Sequence, residues 1–282
     1  MRLPWEPSRE VAGLDPDEVH VWAADLDHLP EASLRGALSA DERDRAGRFH
    51  FERDRRRFVV ARGLLRLLLG RYLDVDPAAL AFGYGPRGKP FLDGFEEPRF
   101  NLSHSGGLAL LAFASGRDVG VDIEQERPLP GSEDIALHYF SAWEAAELRR
   151  LRADEREAAF FRCWTRKEAF IKATGDGLSQ PLDAFDVTLA PGEPARLLRV
   201  LGEHEAARRF WLEDLRPAPD FAGALAVDGE VKHVVRRTWE QLGDMSHGSG
   251  RAGRQDRLQG GREPRGAVLH LAGVPGEPAR LA

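Results

Sequence analysis

Two carboxylates interrupt a short apolar run at residues 119–124. Alternation along a β-strand would direct the apolar side chains to one face and Asp122 and Glu124 to the other. Two carboxylates on one face repel each other, and a hard divalent cation relieves that repulsion by accepting both as oxygen ligands. The run is therefore consistent with a divalent-cation site, although a solvated strand end has the same pattern.

A third carboxylate lies in a segment with helical spacing between Trp164 and Lys172. Trp164, Glu168 and Lys172 are four residues apart, which places them on one helix face with Lys167 beside them. An exposed Glu–Lys pair of the kind found on many helices has the same spacing. If Glu168 faces the two strand carboxylates, the acids and lysines would form a Mg2+ site suited to a diphosphate.

A Ser–His pair precedes a glycine turn in the segment 99–107. Ser103 and His104 offer a hydroxyl and an imidazole, and the glycines leave backbone N–H groups accessible, which together suit an anionic phosphate. In isolation His104 equally fits a hydrolase base or a structural turn residue. A hydrolytic serine usually lies in a Gly-x-Ser-x-Gly elbow, and neither Ser103 nor Ser105 has one around it.

Two further segments carry basic residues that suit an anionic ligand. Arg57 belongs to the densest positive cluster of the folded part, at residues 53–57. A guanidinium of this cluster can pair with a phosphate, and a solvated helix face is the alternative. Lys89 lies in a turn at residues 85–90, which by itself indicates only a loop.

Capping signals and apolar spacing predict the helices that position these groups. Ser39 with Glu42, and Ser141 with Glu144, match the capping box of a helix start. Long amphipathic helices are predicted at 53–70 and at 155–174. A constant offset of 102 residues relates Leu38 to Phe140, Ser39 to Ser141, Glu42 to Glu144 and Phe58 to Phe160. The offset indicates a diverged repeat.

Strand patterns and the offset together predict an α+β fold made of two similar halves related by a pseudo-twofold, with a site between them. The halves are predicted at residues 1–118 and 119–242. Residues 243–282 are rich in Gly, Arg and Pro with almost no aromatic residues, so we expect a disordered tail. The predicted strands are 19–23, 108–113, 119–123, 185–189, 197–201, 210–213, 222–227 and 231–235.

Composition excludes several classes of protein. The chain has 282 residues, of which 42% are hydrophobic and 30% charged, as in ordinary globular proteins. A net charge of -6 argues against a general nucleic-acid binder. One cysteine permits no internal disulfide, and no apolar run approaches the roughly 20 residues that cross a bilayer. Because a secretory signal is also lacking, we expect a cytoplasmic protein without membrane partners.

Four motifs in this order resemble the Sfp-type 4'-phosphopantetheinyl transferases. They are R-G-K-P at 87–90, F-N-L-S-H-S at 100–105, G-V-D-I-E at 120–124 and W-x-x-K-E-A-x-x-K at 164–172. The resemblance covers roughly the first 240 residues. It implies a monomeric pseudo-dimer that binds coenzyme A and Mg2+ between its halves and modifies a serine of an apo acyl or peptidyl carrier protein.

The resemblance also implies a role for each matching residue. The implied metal ligands are Asp122, Glu124 and Glu168. The implied catalytic residues are Glu168, as base for the serine hydroxyl, and Lys172, which neutralises charge on the diphosphate. The implied coenzyme A contacts are Arg57, Lys89, Pro90, Ser103, His104, Lys167 and Lys172. Glu42 and Arg45 depart from the family, since relatives can carry two lysines near the 3'-phosphate.

Two other readings use the same acids. A Mg2+-dependent phosphohydrolase would employ water as the nucleophile, but no extra cluster of metal ligands supports it. A non-catalytic pseudo-enzyme would bind coenzyme A or a carrier without transfer, which the retained acids and Lys172 argue against. The sequence does not identify the carrier or its docking surface, for which the segment 129–140 is the candidate.

Overall fold

The computed structural model describes residues 3–8, 10–175, 180–203 and 205–239. Within these ranges the chain forms twelve β-strands and seven α-helices. The strands are β1 Glu6–Ser8, β2 Glu18–Asp25, β3 Phe82–Tyr84, β4 Pro90–Leu92, β5 Arg99–Ser105, β6 Leu108–Ala114, β7 Val119–Gln125, β8 Phe185–Val187, β9 Leu197–Val200, β10 Phe210–Leu215, β11 Phe221–Asp228 and β12 His233–Trp239. The helices are α1 Glu31–Arg35, α2 Ala40–Ala46, α3 Glu52–Leu73, α4 Ser132–Tyr139, α5 Ala142–Arg150, α6 Ala153–Thr174 and α7 Ala206–Arg209. The predicted tail at 243–282 lies outside the described residues.

Both predicted capping boxes are present and begin equivalent helices. Ser39 precedes α2, and Ser141 precedes α5, each with its glutamate three residues later. In both boxes the glutamate accepts a hydrogen bond from the backbone N–H of the capping serine, which satisfies a donor that the helix start leaves open. The long helices α3 and α6 follow at the positions that the sequence predicts.

The order of strands confirms the α+β fold and its repeat. In the first half β2 pairs antiparallel with β6, which pairs antiparallel with β5. In the second half β7 pairs with β11, which pairs with β10, again antiparallel. Each half thus has its first strand beside the second strand of a later antiparallel pair. A helix with a serine capping box and a long helix lie between them in the chain.

Three large apolar cores form the interior of the described residues, and a small fourth cluster joins α2 to α3. One lies between α3 and the first sheet, and a second lies between α6 and the second sheet. The third joins the two sheets through apolar side chains of β2, β6, β7 and β11. Burial on this third core positions the sheets against each other, so the edge strand β5 lies beside β7. In the part of the chain that the structure describes, no helix is long and apolar enough to cross a membrane.

The last strand belongs to the predicted second half in sequence but joins the first sheet. Residues 233–239 lie within 119–242, yet β12 pairs in parallel with β2 of the first half. β1 pairs in turn with β12 and completes a five-stranded sheet. Sequence patterns report a strand but not its partner, because pairing between distant segments depends on the packed molecule.

Candidate functional site

Where the two halves meet, side chains of β5, rather than its backbone, form hydrogen bonds with β7. Asn101 accepts a hydrogen bond from the backbone N–H of Val121 through its side-chain oxygen, at 2.9 Å. Two residues later, Ser103 donates from Oγ to Oδ1 of Asp122, at 2.8 Å. Asn101 and Ser103 are alternate residues of β5, so their side chains share one strand face. Their hydrogen bonds fix the register of β7 against β5. The first half therefore determines where the strand carboxylates lie.

The same alternation brings Ser105 to Glu124. Ser105 donates from Oγ to Oε2 of Glu124 at 2.7 Å, and it accepts from the backbone N–H of Gln125 at 3.1 Å. Glu124 is buried. Both strand carboxylates of the predicted metal set thus have a serine partner on the neighbouring strand.

A glycine lets helix α6 approach β7 closely. A Cβ atom at Gly120 would lie 2.1 Å from the carbonyl oxygen of Ala169 and 2.3 Å from the backbone nitrogen of Ala173. Only a residue without a side chain fits at this distance. The close approach places Glu168 and Lys172, which flank the contact on the helix, against the strand that carries the acids.

Lys172 joins the helix to the strand acids. Its Nζ donates to Oδ1 of Asp122 at 2.6 Å and to Oγ of Ser103 at 3.0 Å. Burial lowers the pKa of Lys172, but the charges of Asp122 and Glu168 outweigh burial, so the pKa is raised overall. The ammonium group therefore stays charged inside the site.

The glutamates of the site have strongly raised pKa values. Burial raises the pKa of Glu124 to about 7, and the charge of Asp122 adds to the effect. Burial raises the pKa of Glu168 to about 8; Lys172 opposes this shift, while the charges of Asp122 and Glu124 add to it. One ammonium group cannot balance three ionised carboxylates, so the glutamates hold protons more tightly, and a bound cation would supply the missing positive charge.

Two buried oxygen atoms confirm that the acids are not satisfied by the protein alone. Oδ2 of Asp122 and Oε1 of Glu168 have no hydrogen-bond partner among the described residues. A buried carboxylate oxygen without a partner is costly, and Mg2+ prefers such oxygens as ligands. No group of three or more His, Cys, Asp or Glu in the described ranges is close enough to hold a metal by itself. The residues fit Mg2+ because that ion keeps water and phosphate oxygens as further ligands.

The structure places Lys167, which the sequence assigns to coenzyme A, inside the protein. Lys167 is fully buried, and its Nζ donates to the carbonyl oxygens of Leu182 and Phe185 and pairs with Glu144 at 2.7 Å. All three ammonium hydrogens have protein partners, so none is left for a ligand. Lys167 instead links α6 to the capping box of α5.

Ser103 is also less accessible than a phosphate contact requires. Its side chain is buried, and its hydroxyl group already donates to Asp122 and accepts from Lys172. Its observed role is to hold these two groups in place.

Lys89 reaches the end of α6 from the β3–β4 hairpin. Its Nζ donates to the carbonyl oxygen of Ala173 at 2.8 Å, one residue beyond Lys172. Burial lowers its pKa, while the charge of Asp118 opposes this effect. Pro90 begins β4, directly after Lys89. The basic turn that the sequence left as a loop is thus adjacent to the acidic site.

Arg57 lies beside the glycine turn that follows His104. Its guanidinium donates to both carboxylate oxygens of Asp27, at 2.8 and 2.7 Å. A Cβ atom at Gly107 would lie 3.5 Å from Nη2 of Arg57, which shows how close the guanidinium is to the turn. The hydrogen bond with Asp27 raises the pKa of Arg57.

Glu42 has a structural role in the first half. Its carboxylate is buried and pairs with both Arg62 and Arg66 of α3. Arg45 lies 5.3 Å from the ring centre of Phe58. Glu42, which departs from the family pattern, therefore forms ion pairs that join α2 to α3.

Sequence reasoning missed Asn101, Ser105 and Gly120 as residues that build the site. Asn101, Ser103 and Ser105 alternate along β5, and this spacing on a strand that ends at a glycine turn was the available signal. The role of Gly120 depends on the distance between β7 and α6, which no local pattern reports.

Comparison with known proteins identifies the family. A model described as the 4'-phosphopantetheinyl transferase superfamily matches residues 118–226, and one described as 4'-phosphopantetheinyl transferase, N-terminal, matches residues 22–116. The 4'-phosphopantetheinyl transferase HetI of Nostoc sp. is 42% identical over 231 residues, covering 80% of this chain and 94% of HetI. The 4'-phosphopantetheinyl transferase Sfp of Bacillus subtilis is 36% identical over 152 residues, covering 54% of this chain and 66% of Sfp.

A vertebrate relative extends the similarity beyond bacteria. The L-aminoadipate-semialdehyde dehydrogenase-phosphopantetheinyl transferase of Xenopus laevis is 35% identical over 229 residues, covering 74% of each chain. The two family models together span both halves of the fold, including the strands and helix that carry the buried acids. The chain belongs to the 4'-phosphopantetheinyl transferase superfamily.

Proposed function

We propose that this protein transfers the 4'-phosphopantetheine group from coenzyme A to a serine of an apo acyl or peptidyl carrier protein. The observation that carries the proposal is the buried set of Asp122, Glu124 and Glu168 with Lys172, at the junction of two halves that both match the family. Coenzyme A is the donor substrate, and adenosine 3',5'-bisphosphate is the second product.

The proposed reaction is an in-line displacement at the β-phosphorus of coenzyme A. The carrier serine oxygen forms a bond to this phosphorus while the bond to the bridging diphosphate oxygen breaks. Glu168 accepts the serine proton, directly or through one water, because its Oε1 has no hydrogen-bond partner among the described residues. Lys172 neutralises the charge that develops on the leaving bisphosphate.

Asp122, Glu124 and Glu168 would hold Mg2+. When bound, the ion neutralises the diphosphate and orients its oxygens for displacement. The protein residues contribute the geometry: Ser103 orients Asp122, and Gly120 sets the distance between the strand and α6. Positioning and charge neutralisation thus account for most of the proposed catalysis.

We propose that the remaining predicted contacts bind the nucleotide end of coenzyme A. His104 and Arg57 flank the glycine turn, where a phosphate would meet an imidazole, a guanidinium and backbone N–H groups. Lys89 and Pro90 lie on the other side of the acidic site, next to the end of α6. We no longer propose Lys167, because its ammonium group is enclosed by protein partners.

We propose that the carrier docks on the segment 129–140, which follows β7. Leu137 of α4 and the nearby Trp143 are exposed at 48% and 42%, although both are large apolar side chains. Replacing Leu137 with Asp should raise KM for the carrier without changing KM for coenzyme A. Leu201→Asp, at another exposed leucine, is the matched control and should leave both constants unchanged. Equal KM values for the carrier in both variants would contradict the proposed surface.

Release of nucleotide with and without a carrier separates the proposed transfer from its alternatives. The transferase releases adenosine 3',5'-bisphosphate only when coenzyme A, Mg2+ and an apo-carrier are all present. Release without carrier would indicate a phosphohydrolase, and binding of coenzyme A without any release would indicate a pseudo-enzyme. The monomeric state, the cytoplasmic location and the two-domain division at residues 118 and 119 stay predictions.

A further inference from the structure

We propose that Ser105 is a positioning residue that orients Glu124 for the divalent cation, so that the first half of the fold controls the metal affinity of the second. The inference rests on the proposed function for the role of Glu124. Among the described residues, the hydrogen bonds of Ser105 join it to Glu124 and to the backbone of Gln125, so we assign it a role through Glu124.

The hydrogen bonds of Ser105 determine the direction of its single proton. The backbone N–H of Gln125 donates to Oγ at 3.1 Å, so this oxygen serves as an acceptor there. The hydroxyl hydrogen is then free for Oε2 of Glu124, at 2.7 Å. A hydroxyl bonded in this way favours the charged, unprotonated carboxylate and holds it in one orientation.

Glu124 requires such a partner because of its surroundings. Its side chain is buried on the same strand face as Asp122, and a buried carboxylate oxygen without a donor is costly. The hydroxyl group of Ser105 donates to this carboxylate, whereas Lys172 and Arg127 act on it through their charges. A carboxylate that rotates freely would meet the cation in the required orientation for a smaller fraction of the time.

Ser103 with Asp122 and Ser105 with Glu124 are both serine–carboxylate pairs between β5 and β7, but they differ in their exposure to solvent. Ser103 and Asp122 are both buried and also bind Lys172. Ser105 is partly exposed at the end of β5, where the glycine turn begins, and it donates to the carboxylate of Glu124. Substitution at Ser105 therefore tests orientation of a metal ligand without removing a contact of Lys172.

Titration with Mn2+, with coenzyme A present and no carrier, measures the predicted effect directly. Loss of a side chain that orients a metal ligand weakens metal binding roughly 10- to 100-fold, and we expect this range for Ser105→Ala. Ser105→Thr retains the hydroxyl group and should restore the affinity. Turnover of Ser105→Ala should be low at limiting Mg2+ and should approach that of the wild type as Mg2+ is raised.

A matched control lies directly after β6. Ser115 also donates from Oγ to a glutamate, Glu97, outside the acidic site. Ser115→Ala should leave the Mn2+ affinity unchanged. Thermal unfolding of all three variants separates a loss of metal affinity from a loss of folded protein.

The outcomes distinguish this inference from the proposed function. Unchanged Mn2+ affinity in folded Ser105→Ala overturns the inference, even if the wild type transfers phosphopantetheine. Weakened affinity of Ser105→Ala that Ser105→Thr does not restore also overturns it, because the hydroxyl would not be the cause. Weakened and restored affinity in a protein that transfers nothing would support the positioning role and overturn the proposed activity instead.

Discussion

At the scale of single residues, Glu168 is the group on which the proposed chemistry depends most. It is buried on α6, its Oε1 has no hydrogen-bond partner among the described residues, and it lies close to Lys172 and to the strand carboxylates. The same side chain would contribute a metal ligand and the base for the carrier serine. A substitution of Glu168 therefore distinguishes effects on turnover from effects on coenzyme A binding.

Replacing Glu168 with Gln should lower turnover by roughly 10²- to 10⁴-fold, the range that general acid–base catalysis provides. Coenzyme A binding should change little, because the amide keeps the size of the side chain. The measurement is steady-state transfer together with isothermal titration of coenzyme A. Glu203→Gln, at an exposed position, is the control. Near-normal turnover in Glu168→Gln would contradict the assigned role.

Glu42 provides a residue-scale prediction about stability and pH. Burial raises its pKa, but Arg62 and Arg66 outweigh burial, so the pKa is lowered from 4.5. A lowered pKa in the folded state means that the ionised group stabilises the fold above pH 4.5, and that this contribution is lost as pH falls through the lower folded value.

Glu42→Gln should therefore lower the free energy of unfolding by about 3–5 kcal/mol near neutral pH, since it leaves two buried guanidinium groups without their partner. Urea unfolding at a series of pH values measures the difference, which should shrink below pH 4.5. Glu52→Gln breaks an exposed pair with Arg55, which solvent screens, and should have a much smaller effect. Equal effects of the two substitutions would contradict the buried network.

At the scale of secondary-structure elements, the distance between β7 and α6 decides whether the acids form one site. Gly120 makes this distance short, because a Cβ atom there would lie 2.1 Å from a backbone oxygen of α6. The strand and the helix carry all three proposed metal ligands between them. A small change in their separation should therefore affect stability and metal binding together.

Gly120→Ala should destabilise the protein by roughly 1–3 kcal/mol, the usual cost of an extra methyl group in a packed interior. It should also weaken Mn2+ binding, because the helix must move away from the strand. Thermal unfolding and Mn2+ titration measure the two effects. Gly36→Ala, where nothing lies within 4 Å of the added Cβ atom, is the control. A variant with unchanged stability would show that α6 does not depend on this glycine.

Local signals predicted the two long helices and eight of the strands, but not β1, β3, β4 or β5, and the pairing of distant elements required the structure. Ser39 and Ser141 were predicted to begin helices because a capping box involves only four consecutive residues. Helix spacing places Lys167 beside Glu168 but does not report that Lys167 pairs with Glu144 of α5. The chemistry of Asp122 and Glu168 was readable from the sequence, but their approach across Gly120 was not.

At the scale of the whole molecule, the repeat produces two equivalent regions that differ in chemistry. The offset of 102 residues relates Asp122, Glu124 and Glu168 to His20, Trp22 and Arg66. None of these three counterparts is a carboxylate. In the region around His20, β12 pairs with β2, and Arg236 of β12 pairs with Glu213 of β10. This second region therefore lacks the three carboxylates of the candidate site.

We therefore expect one divalent cation and one coenzyme A per chain. Isothermal titration of the full-length protein with coenzyme A in the presence of Mg2+ measures this stoichiometry. A value near one agrees with a single site between unequal halves. A value near two would show that the region around His20 also binds the substrate.

The central claim is that the buried acids of β7 and α6 serve phosphopantetheine transfer. The intact mass of an apo-carrier protein, measured after incubation with this protein, coenzyme A and Mg2+, tests it most directly. We predict a mass gain of one phosphopantetheine group on the carrier, lost when its acceptor serine is replaced by alanine. An unchanged carrier mass across acyl and peptidyl carriers, with folded protein and saturating Mg2+, would contradict the claim.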